Sequence, residues 1–454
     1  MADRTLPGTE RARAGGITGE SGGAQSAALD PRRAALMVAV LAAAYFLAFL
    51  DRGSLSLFVV PIEHDLHLSD LQMGLLIGLA FGLLYAVLGV PFGVLADRTN
   101  RRRLVIAGVS CWSIATLLSA LATGPLQLFV GRIGVGIGEA TLAPAAASMI
   151  TDAFDPSRRG RAFGVFYLGT SFGAGTASLL GAGVITLMQG YAWRLPLVGR
   201  LEAWQVTLLV VAAAGVPIIA GMFGVPEPPR TSRDARPAVA RIVRYMGRHW
   251  RVYGLIYLSN VLASLMAYAF YPWVPTAMHR AWHADLSAIG LRLGTMIIVL
   301  SGIGIYASGW IVDRMNRRGV RHGVALIGTV TFGFLAVIAA ALFHMPTAAL
   351  TWTMIGLYVL LVHIYAPFAL LALSLVTPPA AMAAVSAVNF MLTGIFGLSF
   401  GPVLVALVSR HFFAGPAGIG SATSAVCAAL ALAGLLTYGL LLRPLKHFEP
   451  HPDL

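Results

Sequence analysis

Apolar stretches of about 20 residues recur along the whole chain and alternate with short polar segments. Such a stretch predicts a membrane-spanning helix, because lipid offers no hydrogen-bond partner to an open backbone. The predicted helices cover residues 34–61, 70–96, 103–122, 125–151, 160–188, 203–225, 252–278, 286–312, 322–343, 348–376, 381–409 and 418–442. We therefore expect an all-α membrane protein with twelve transmembrane helices in two six-helix bundles.

The polar segments divide these helices into two halves. Residues 226–250 form the longest charged internal segment and separate an N-terminal bundle, predicted over 34–225, from a C-terminal bundle over 251–443. Residues 1–33 are polar and rich in Gly, Ala and Arg, and they lack an apolar core. That composition predicts a disordered tail and not a signal peptide. Residues 444–454 are predicted to form a second tail.

Basic residues exceed acidic ones by 32 to 19, and most arginines fall in the segments on the same side as the N-terminus. The positive-inside rule therefore places both termini in the cytoplasm, and the excess of Arg over Lys points to a bacterial inner membrane. Because the charges flank membrane segments, they indicate no nucleic-acid partner. The two cysteines, Cys111 and Cys427, lie in distant helices and predict neither a disulfide nor a metal site.

A short basic motif occurs once in each half. DRTNRR at 97–102 follows predicted helix 2, and DRMNRR at 313–318 follows predicted helix 8. Parallel repeats of this kind are typical of transporters built from two bundles with a central cavity between them.

The two loops resemble the signature of the major facilitator superfamily. FLDRGSLSL at 49–57 and RIGVGIGEA at 132–140 resemble its spinster-like branch. The resemblance implies twelve helices in two bundles, and proton-linked export of lysophospholipids or sphingosine phosphates. It also implies that the loops act as gates that latch the cytoplasmic side. The predicted gating residues are Asp97, Arg98, Arg101, Arg102, Asp152, Arg161, Asp313 and Arg314.

Four ionisable residues lie at membrane depth in the N-terminal half, namely Asp51 and Arg52 on helix 1, and Arg132 and Glu139 on helix 4. Each would cost about 2.5–3.5 kcal/mol if it were unpaired at a helix centre, so we expect the four to pair or to face water. Seven residues is close to two turns, so Arg132 and Glu139 share a face that Gly136 leaves open. We predict that Asp51 and Glu139 couple transport to protons. The alternative is a buried ion-pair network that only pins helix 1 to helix 4.

The C-terminal half carries almost no charge at depth, and His363 is its ionisable residue near the middle. The predicted substrate-contacting residues are Arg52, Arg132, Asn260, Tyr268, His363 and Asn389. Further aromatic residues, Tyr257, Tyr271, Trp273, Tyr365, Phe368, Phe390 and Phe396, would complete an apolar wall. A charged wall opposite an apolar one suits an amphipathic, lipid-like substrate. We expect the protein to act as a monomer in the lipid bilayer with no cofactor.

Other functions stay open at this point. A proton-coupled carrier of a small organic anion or drug-like solute is the first alternative, and a non-transporting receptor is another. A membrane enzyme is disfavoured, because the two G-x-S-x-G matches at 169–173 and 397–401 lie within predicted helices and a nucleophile elbow needs a strand before it. No ATP-binding P-loop motif occurs, so we predict a secondary carrier and no enzyme.

Overall fold

The computed structural model describes residues 29–189, 193–195, 199–230, 239–318, 323–378 and 381–448. Twelve helices in that part of the chain are long and apolar enough to cross a membrane. They are α1 (Pro31–Leu66), α2 (Asp70–Arg98), α3 (Arg101–Ala120), α4 (Pro125–Ala153), α5 (Pro156–Met188), α6 (Ala203–Gly224), α7 (Trp250–Phe270), α8 (Leu286–Arg317), α9 (Gly323–Ala341), α10 (Ala348–Val376), α11 (Met382–Phe412) and α12 (Gly418–Lys446). The predicted all-α membrane fold is confirmed.

Shorter elements define the two faces of the molecule. Val239–Arg248 is a helix within the segment that joins the two halves, and Val274–Trp282 is a helix between α7 and α8. Strands Arg194–Leu195 and Gly199–Arg200 form an antiparallel hairpin between α5 and α6. Because successive helices alternate in direction, the hairpin and the joining segment lie on opposite faces. We call these the hairpin face and the linker face.

The chain enters and leaves the bundles close to the predicted positions. α1 begins at Pro31 and not at residue 34, because Pro is well suited to the first turn of a helix, where no N–H is needed. α12 continues to Lys446, so the predicted C-terminal tail starts later than residue 444. The predicted tail segments 1–28 and 449–454 lie outside the described residues.

The two halves meet along a seam formed by α2 against α11 and α5 against α8. Glycines make both contacts close. A Cβ added at Gly294 of α8 would lie 2.6 Å from the carbonyl oxygen of Gly175 on α5, and one at Gly290 would lie 2.7 Å from that of Ser178. A Cβ at Gly74 of α2 would lie 3.0 Å from the carbonyl oxygen of Pro402 on α11. These contacts lie in the parts of the helices nearer the hairpin face, so the halves are closed together there.

Local departures from α-helical geometry occur where α2 and α11 touch. Residues Leu76–Ala80 of α2 and Thr393–Leu398 of α11 are each wound as a π-helical turn. A π turn widens the helix and re-aims the side chains around it, and such turns are frequent at functional sites. The backbone of α2 at Gly78 packs directly on the carbonyl of Ser399, which follows the second π turn.

The two G-x-S-x-G segments serve helix packing within each half. Gly169 lies against α1, where an added Cβ would be 2.7 Å from the backbone nitrogen of Phe46. Gly401 lies against α7, where an added Cβ would be 2.8 Å from Cβ of Tyr268. Both segments are within helices, so neither has the strand–turn–helix context of a nucleophile elbow.

Substituting Gly294 by Ala should loosen the α5–α8 contact, because the new methyl group meets a backbone carbonyl that cannot move freely. Overpacking costs about 1–3 kcal/mol, so opening of the seam should rise about tenfold. The rate at which a water-soluble maleimide labels Cys at position 178, in a Cys111→Ser background, measures that opening. Gly302→Ala on the same helix is the matched control, because nothing lies within 4 Å of its added Cβ. Equal labelling of the two variants would refute the close contact.

Candidate functional site

The four deep charges of the N-terminal half form two ion pairs. Arg132 of α4 donates to Oδ1 of Asp51 on α1 at 2.5 Å, and Arg52 of α1 donates to Oε2 of Glu139 on α4 at 2.7 Å. Each pair joins α1 to α4. The net formal charge of the four side chains is zero, so each buried charge is compensated by one of opposite sign.

The Asp51–Arg132 pair is buried within the N-terminal bundle. The hydroxyl of Thr116 on α3 donates to the second carboxylate oxygen of Asp51, so both oxygens have partners. Arg132 is 2 % exposed. In this conformation Arg132 is directed at Asp51 on α1, and its contact with a substrate headgroup stays a prediction.

The Arg52–Glu139 pair has a different environment. The guanidinium carbon of Arg52 lies 4.7, 4.9 and 4.3 Å from the ring centroids of Phe49, Phe81 and Tyr85. Cation–π attraction of this kind holds the arginine in place even when its carboxylate partner is altered. The side chain of Arg52 is 11 % exposed, and it is the most exposed of the four. Oxygen Oε1 of Glu139 is buried and has no hydrogen-bond partner among the described residues.

Arg52 also faces the other half of the protein. The hydroxyl of Tyr268, on α7, interacts electrostatically with Arg52 and with Glu139. Tyr268 packs with Leu398 of α11 against the core of the N-terminal bundle. The Arg52–Glu139 pair thus lies at the seam, whereas the Asp51–Arg132 pair lies behind it.

Gly136 does not leave an open face between Arg132 and Glu139, contrary to the sequence-based expectation. α2 crosses α4 at this point, and the backbone carbonyl of Phe81 occupies the space where a Cβ would be. The glycine allows the close approach that brings the Phe81 ring to both arginines, 5.5 Å from the guanidinium carbon of Arg132.

The polar residues predicted in the C-terminal half mostly bind one another. The amide nitrogen of Asn260 on α7 donates to the side-chain oxygen of Asn389 on α11 at 2.8 Å. The Tyr365 hydroxyl donates to the Asn260 oxygen at 3.1 Å and also bonds to the Tyr438 hydroxyl. All four side chains are buried. The expectation that Asn260 and Asn389 contact the substrate does not describe this conformation, because their hydrogen bonds are made within the bundle.

The predicted aromatic wall is likewise largely bundle core. Its buried members are Tyr257, Trp273, Tyr365 and Phe368. Tyr268 and Tyr271 are half-buried, and the ring centroid of Tyr271 lies 6.4 Å from that of His363. The His363 ring is also half-buried, and its Nδ1 lies 2.8 Å from the Val359 carbonyl oxygen one turn earlier. These three side chains remain candidates for substrate contact.

The repeated basic loop of the N-terminal half is part of a network on the linker face. Arg101 binds Asp152 at the end of α4 and Glu227 after α6, the latter at 2.7 Å. The backbone nitrogen of Arg102 donates to Glu227 at 2.9 Å. Arg230 donates to backbone carbonyls at the end of α2, including that of Asp97. The predicted pairing of the loop with Asp152 is present, and in this conformation it lies within one half.

The other predicted gating residues are at the surface. Arg98, Arg161, Asp313 and Arg314 are exposed, and Asp97 is half-buried. The Arg314 guanidinium carbon lies 5.6 Å from the ring centroid of Trp310. The repeat in the C-terminal half therefore faces solvent where its N-terminal counterpart is packed.

An ion-pair cluster on the hairpin face links the two halves, and it was not predicted from the sequence. Arg280, in the helix after α7, donates to Glu63 at 2.6 Å and to Asp70 at 2.8 and 3.0 Å. Burial opposes the charge on Arg280, but its two carboxylate partners outweigh that effect and raise its pKa above the ordinary value. The partners are more than 200 residues away in sequence. In the sequence, only the closeness of Glu63 and Asp70 on either side of the α1–α2 turn could have suggested an ion-pair site.

Metal binding finds no support in the described part of the chain, which has no cluster of three or more His, Cys, Asp or Glu side chains suited to an ion.

Two helical bundles that meet along a seam, with one ion pair facing it, are typical of membrane transporters. The family model described as Major Facilitator Superfamily matches residues 41–402, and the chain belongs to that family. It is a transporter and not an enzyme, as the sequence predicted.

Similar proteins agree with this class. The chain is 28% identical over 420 residues to an MFS-type efflux pump of Mycolicibacterium smegmatis, covering 90% of this chain and 93% of the relative. It is 33% identical over 191 residues to human Protein spinster homolog 1, covering 42% of this chain and 36% of the relative. The structure of a bacterial homolog of the human lysosomal transporter Spinster, in an inward-facing and unoccupied conformation, superposes with a TM-score of 0.80 at 21% identity, over 93% of this chain and 100% of that one. The predicted spinster-like resemblance is confirmed.

The two ion pairs should contribute unequally to stability. Asp51→Asn leaves the buried Arg132 without its counter-charge and should lower the free energy of unfolding by about 3–5 kcal/mol. Glu139→Gln should cost about 1 kcal/mol, because Arg52 keeps its three aromatic neighbours and the amide oxygen can still accept a hydrogen bond. Denaturant titration of the purified protein in detergent measures both. If Glu139→Gln lowered the free energy of unfolding more than Asp51→Asn does, the greater contribution of the Asp51–Arg132 pair to stability would be contradicted.

Arg280→Gln should favour opening of the hairpin face, because it removes the cation that two carboxylates of the other half share. Partly exposed pairs contribute about 1 kcal/mol in total, so the open population should rise about fivefold. Spin labels at positions 64 and 281, in a Cys111→Ser background, report the separation of the halves. Arg200→Gln is the control, since Arg200 lies on the same face and its partner Glu202, 4.0 Å away, belongs to its own half. An unchanged distance distribution in Arg280→Gln would exclude a latch here.

Proposed function

We propose that this protein is a proton-coupled secondary transporter that moves an amphipathic, lipid-like substrate by alternating access. The observation that carries the proposal is the Arg52–Glu139 pair at the seam, in which one carboxylate oxygen is buried and has no hydrogen-bond partner in the described part of the chain. A carboxylate in that position can be neutralised by a proton with little rearrangement. Arg52, beside this carboxylate, supplies the positive charge that an anionic group of the substrate would bind.

Protonation of Glu139 removes the charge that holds Arg52. The guanidinium then keeps its aromatic neighbours but lacks a counter-ion, and an unpaired cation at this depth is costly. An anionic group of the substrate restores neutrality. Proton binding to Glu139 and anion binding to Arg52 therefore favour one another, which is the thermodynamic basis of coupling.

Asp51 has a supporting role in this scheme. The Thr116 hydroxyl donates to one of its carboxylate oxygens and Arg132 to the other, so both oxygens are already engaged in hydrogen bonds within the N-terminal bundle. Its charge keeps Arg132 neutralised behind the seam, so that Arg132 does not compete with Arg52 for Glu139 or for the substrate. We therefore assign proton coupling chiefly to Glu139.

An amphipathic substrate fits the surroundings of Arg52. The charged site is lined by Phe49, Phe81 and Tyr85 from its own half and faces Tyr268 from the other. An acyl chain beside an anionic head would find apolar contact on both sides. The similarity of the N-terminal half to spinster proteins supports a lysophospholipid or sphingolipid-like substrate.

A small organic anion or drug-like solute is the second candidate. The similarity to an MFS-type efflux pump extends over most of both chains and favours it. The same Arg52–Glu139 pair would serve such a substrate, but the aromatic surroundings would then contact little of it.

We further propose that the linker face is cytoplasmic and that the protein resides in a bacterial inner membrane as a monomer. The arginine-rich loops on that face support this orientation. In this orientation the hairpin face, where the two halves are in close contact, looks outward.

Glu139→Gln should bind substrate but lose accumulation driven by a pH gradient, because the amide cannot exchange a proton. The measurement is uptake of a labelled lysophospholipid by proteoliposomes with and without the gradient, alongside equilibrium binding to the purified protein. Glu202→Gln, a half-buried carboxylate on the hairpin face, is the matched control and should transport normally.

Persistent pH-driven accumulation in Glu139→Gln would refute the coupling role. If unlabelled organic anions compete for uptake and lysophospholipids do not, the second candidate substrate is favoured.

A further inference from the structure

The short helix Val239–Arg248 has two chemically different faces. Ile242 and Tyr245 are buried against the C-terminal bundle, and the Tyr245 hydroxyl donates to the Val376 carbonyl at the end of α10 at 3.3 Å. The opposite side carries Arg241, Arg244 and Arg248, all exposed. Their spacing of three and four residues places them on one side of the helix. With the exposed Arg251 that follows, they form what we call the basic helix face.

The position of this helix is fixed at the edge of the membrane-spanning region. It packs on the last residue of α10, and a bend at His249 leads directly into α7. The ring of His249 lies 5.1 Å from that of Phe448, which follows α12. These contacts, with the ends of α10 and α12 and the start of α7, place the short helix at the linker face, where the membrane-spanning helices begin and end.

Charge on this surface is of one sign over a long segment. Residues 235–251, which include the short helix and the start of α7, contain no Asp or Glu. Lys446, exposed at the end of α12, adds a further cation two residues before Phe448. Phosphate-bearing lipid headgroups are the anions available at this level.

Apolar side chains next to the basic helix face complete an interfacial pattern. Trp250 is 64 % exposed and its ring centroid lies 5.6 Å from the guanidinium carbon of Arg251. Val243, on the same helix as the arginines, is also exposed. Trp at a membrane–water boundary together with Arg is typical of segments that lie in the headgroup layer.

We propose that the basic helix face binds the headgroups of anionic phospholipids and so ties the connection between the two halves to the membrane surface. The partner is the bilayer itself, recognised through charge complementarity. Because the helix is packed on the C-terminal bundle, the contact anchors that bundle and leaves the N-terminal one free to move against it. This role is separate from substrate transport at the seam.

The test uses the full-length protein, in a Cys111→Ser background, with Cys at position 247 carrying a fluorophore. Gly247 is exposed and has nothing within 4 Å of an added Cβ, so the label does not disturb packing. Proteoliposomes contain equal small fractions of nitroxide-labelled phosphatidylglycerol or nitroxide-labelled phosphatidylcholine in a phosphatidylcholine bilayer. Both leaflets have the same composition, so the result does not depend on orientation.

Quenching by labelled phosphatidylglycerol should exceed that by labelled phosphatidylcholine by about threefold at low salt, and the excess should shrink at high salt. The triple substitution Arg241→Gln, Arg244→Gln and Arg248→Gln should abolish the excess. Arg32→Gln, Arg33→Gln and Arg158→Gln, at other exposed positions on the linker face, form the control and should retain it. Equal quenching by the two lipids in the unsubstituted protein, or no quenching by either, would overturn the proposal.

Discussion

Charge cannot stand unpaired inside a lipid bilayer, and the N-terminal half is arranged around that constraint. Four ionised side chains lie within it, and each has an oppositely charged partner on the neighbouring helix. Because both pairs join α1 to α4, these helices must keep a fixed register. α2 must then approach closely to exclude water and lipid, which is why Gly136 faces the backbone of Phe81. The packing of three helices thus follows from the electrostatics of one cluster.

Position relative to the seam distinguishes the two pairs more than their chemistry does. Both consist of an arginine and a carboxylate, and both are short. The pair behind the seam has a third partner in Thr116, whereas the pair at the seam has aromatic rings and an oxygen without a hydrogen-bond partner among the described residues. A fully hydrogen-bonded network is rigid, whereas a buried acceptor without a partner is costly. The same residue types therefore stand in two different environments, and the proposed transport role belongs to the pair at the seam.

The sequence predicted the helices, the two halves and the deep charges well, because each depends on hydropathy summed over many residues or on the cost of a single charge. It predicted poorly how each helix is rotated about its own axis. α7, α10 and α11 are largely apolar, so no periodicity showed whether Asn260, Tyr365 and Asn389 face a cavity or one another. The cluster around Arg280 was missed for another reason. Its members are ordinary charged residues near helix ends, and only the folded chain brings them together.

The two faces of the protein use charge in different ways, and this difference bears on how it can change conformation. On the linker face, Arg101 is buried and its partners belong to its own half, so that network can persist while the halves separate. On the hairpin face, Arg280 is partly exposed and its partners belong to the other half. A fully exposed ion pair contributes about 0.2–1 kcal/mol. The partly exposed pairs of Arg280 are therefore weak enough to break. Glycine contacts along the seam add close packing, because the backbone of one half meets backbone and side-chain atoms of the other. The proposed alternating access requires a closed state that is stable yet reversible, and a few weak cross-half ion pairs beside a closely packed seam are suited to both conditions.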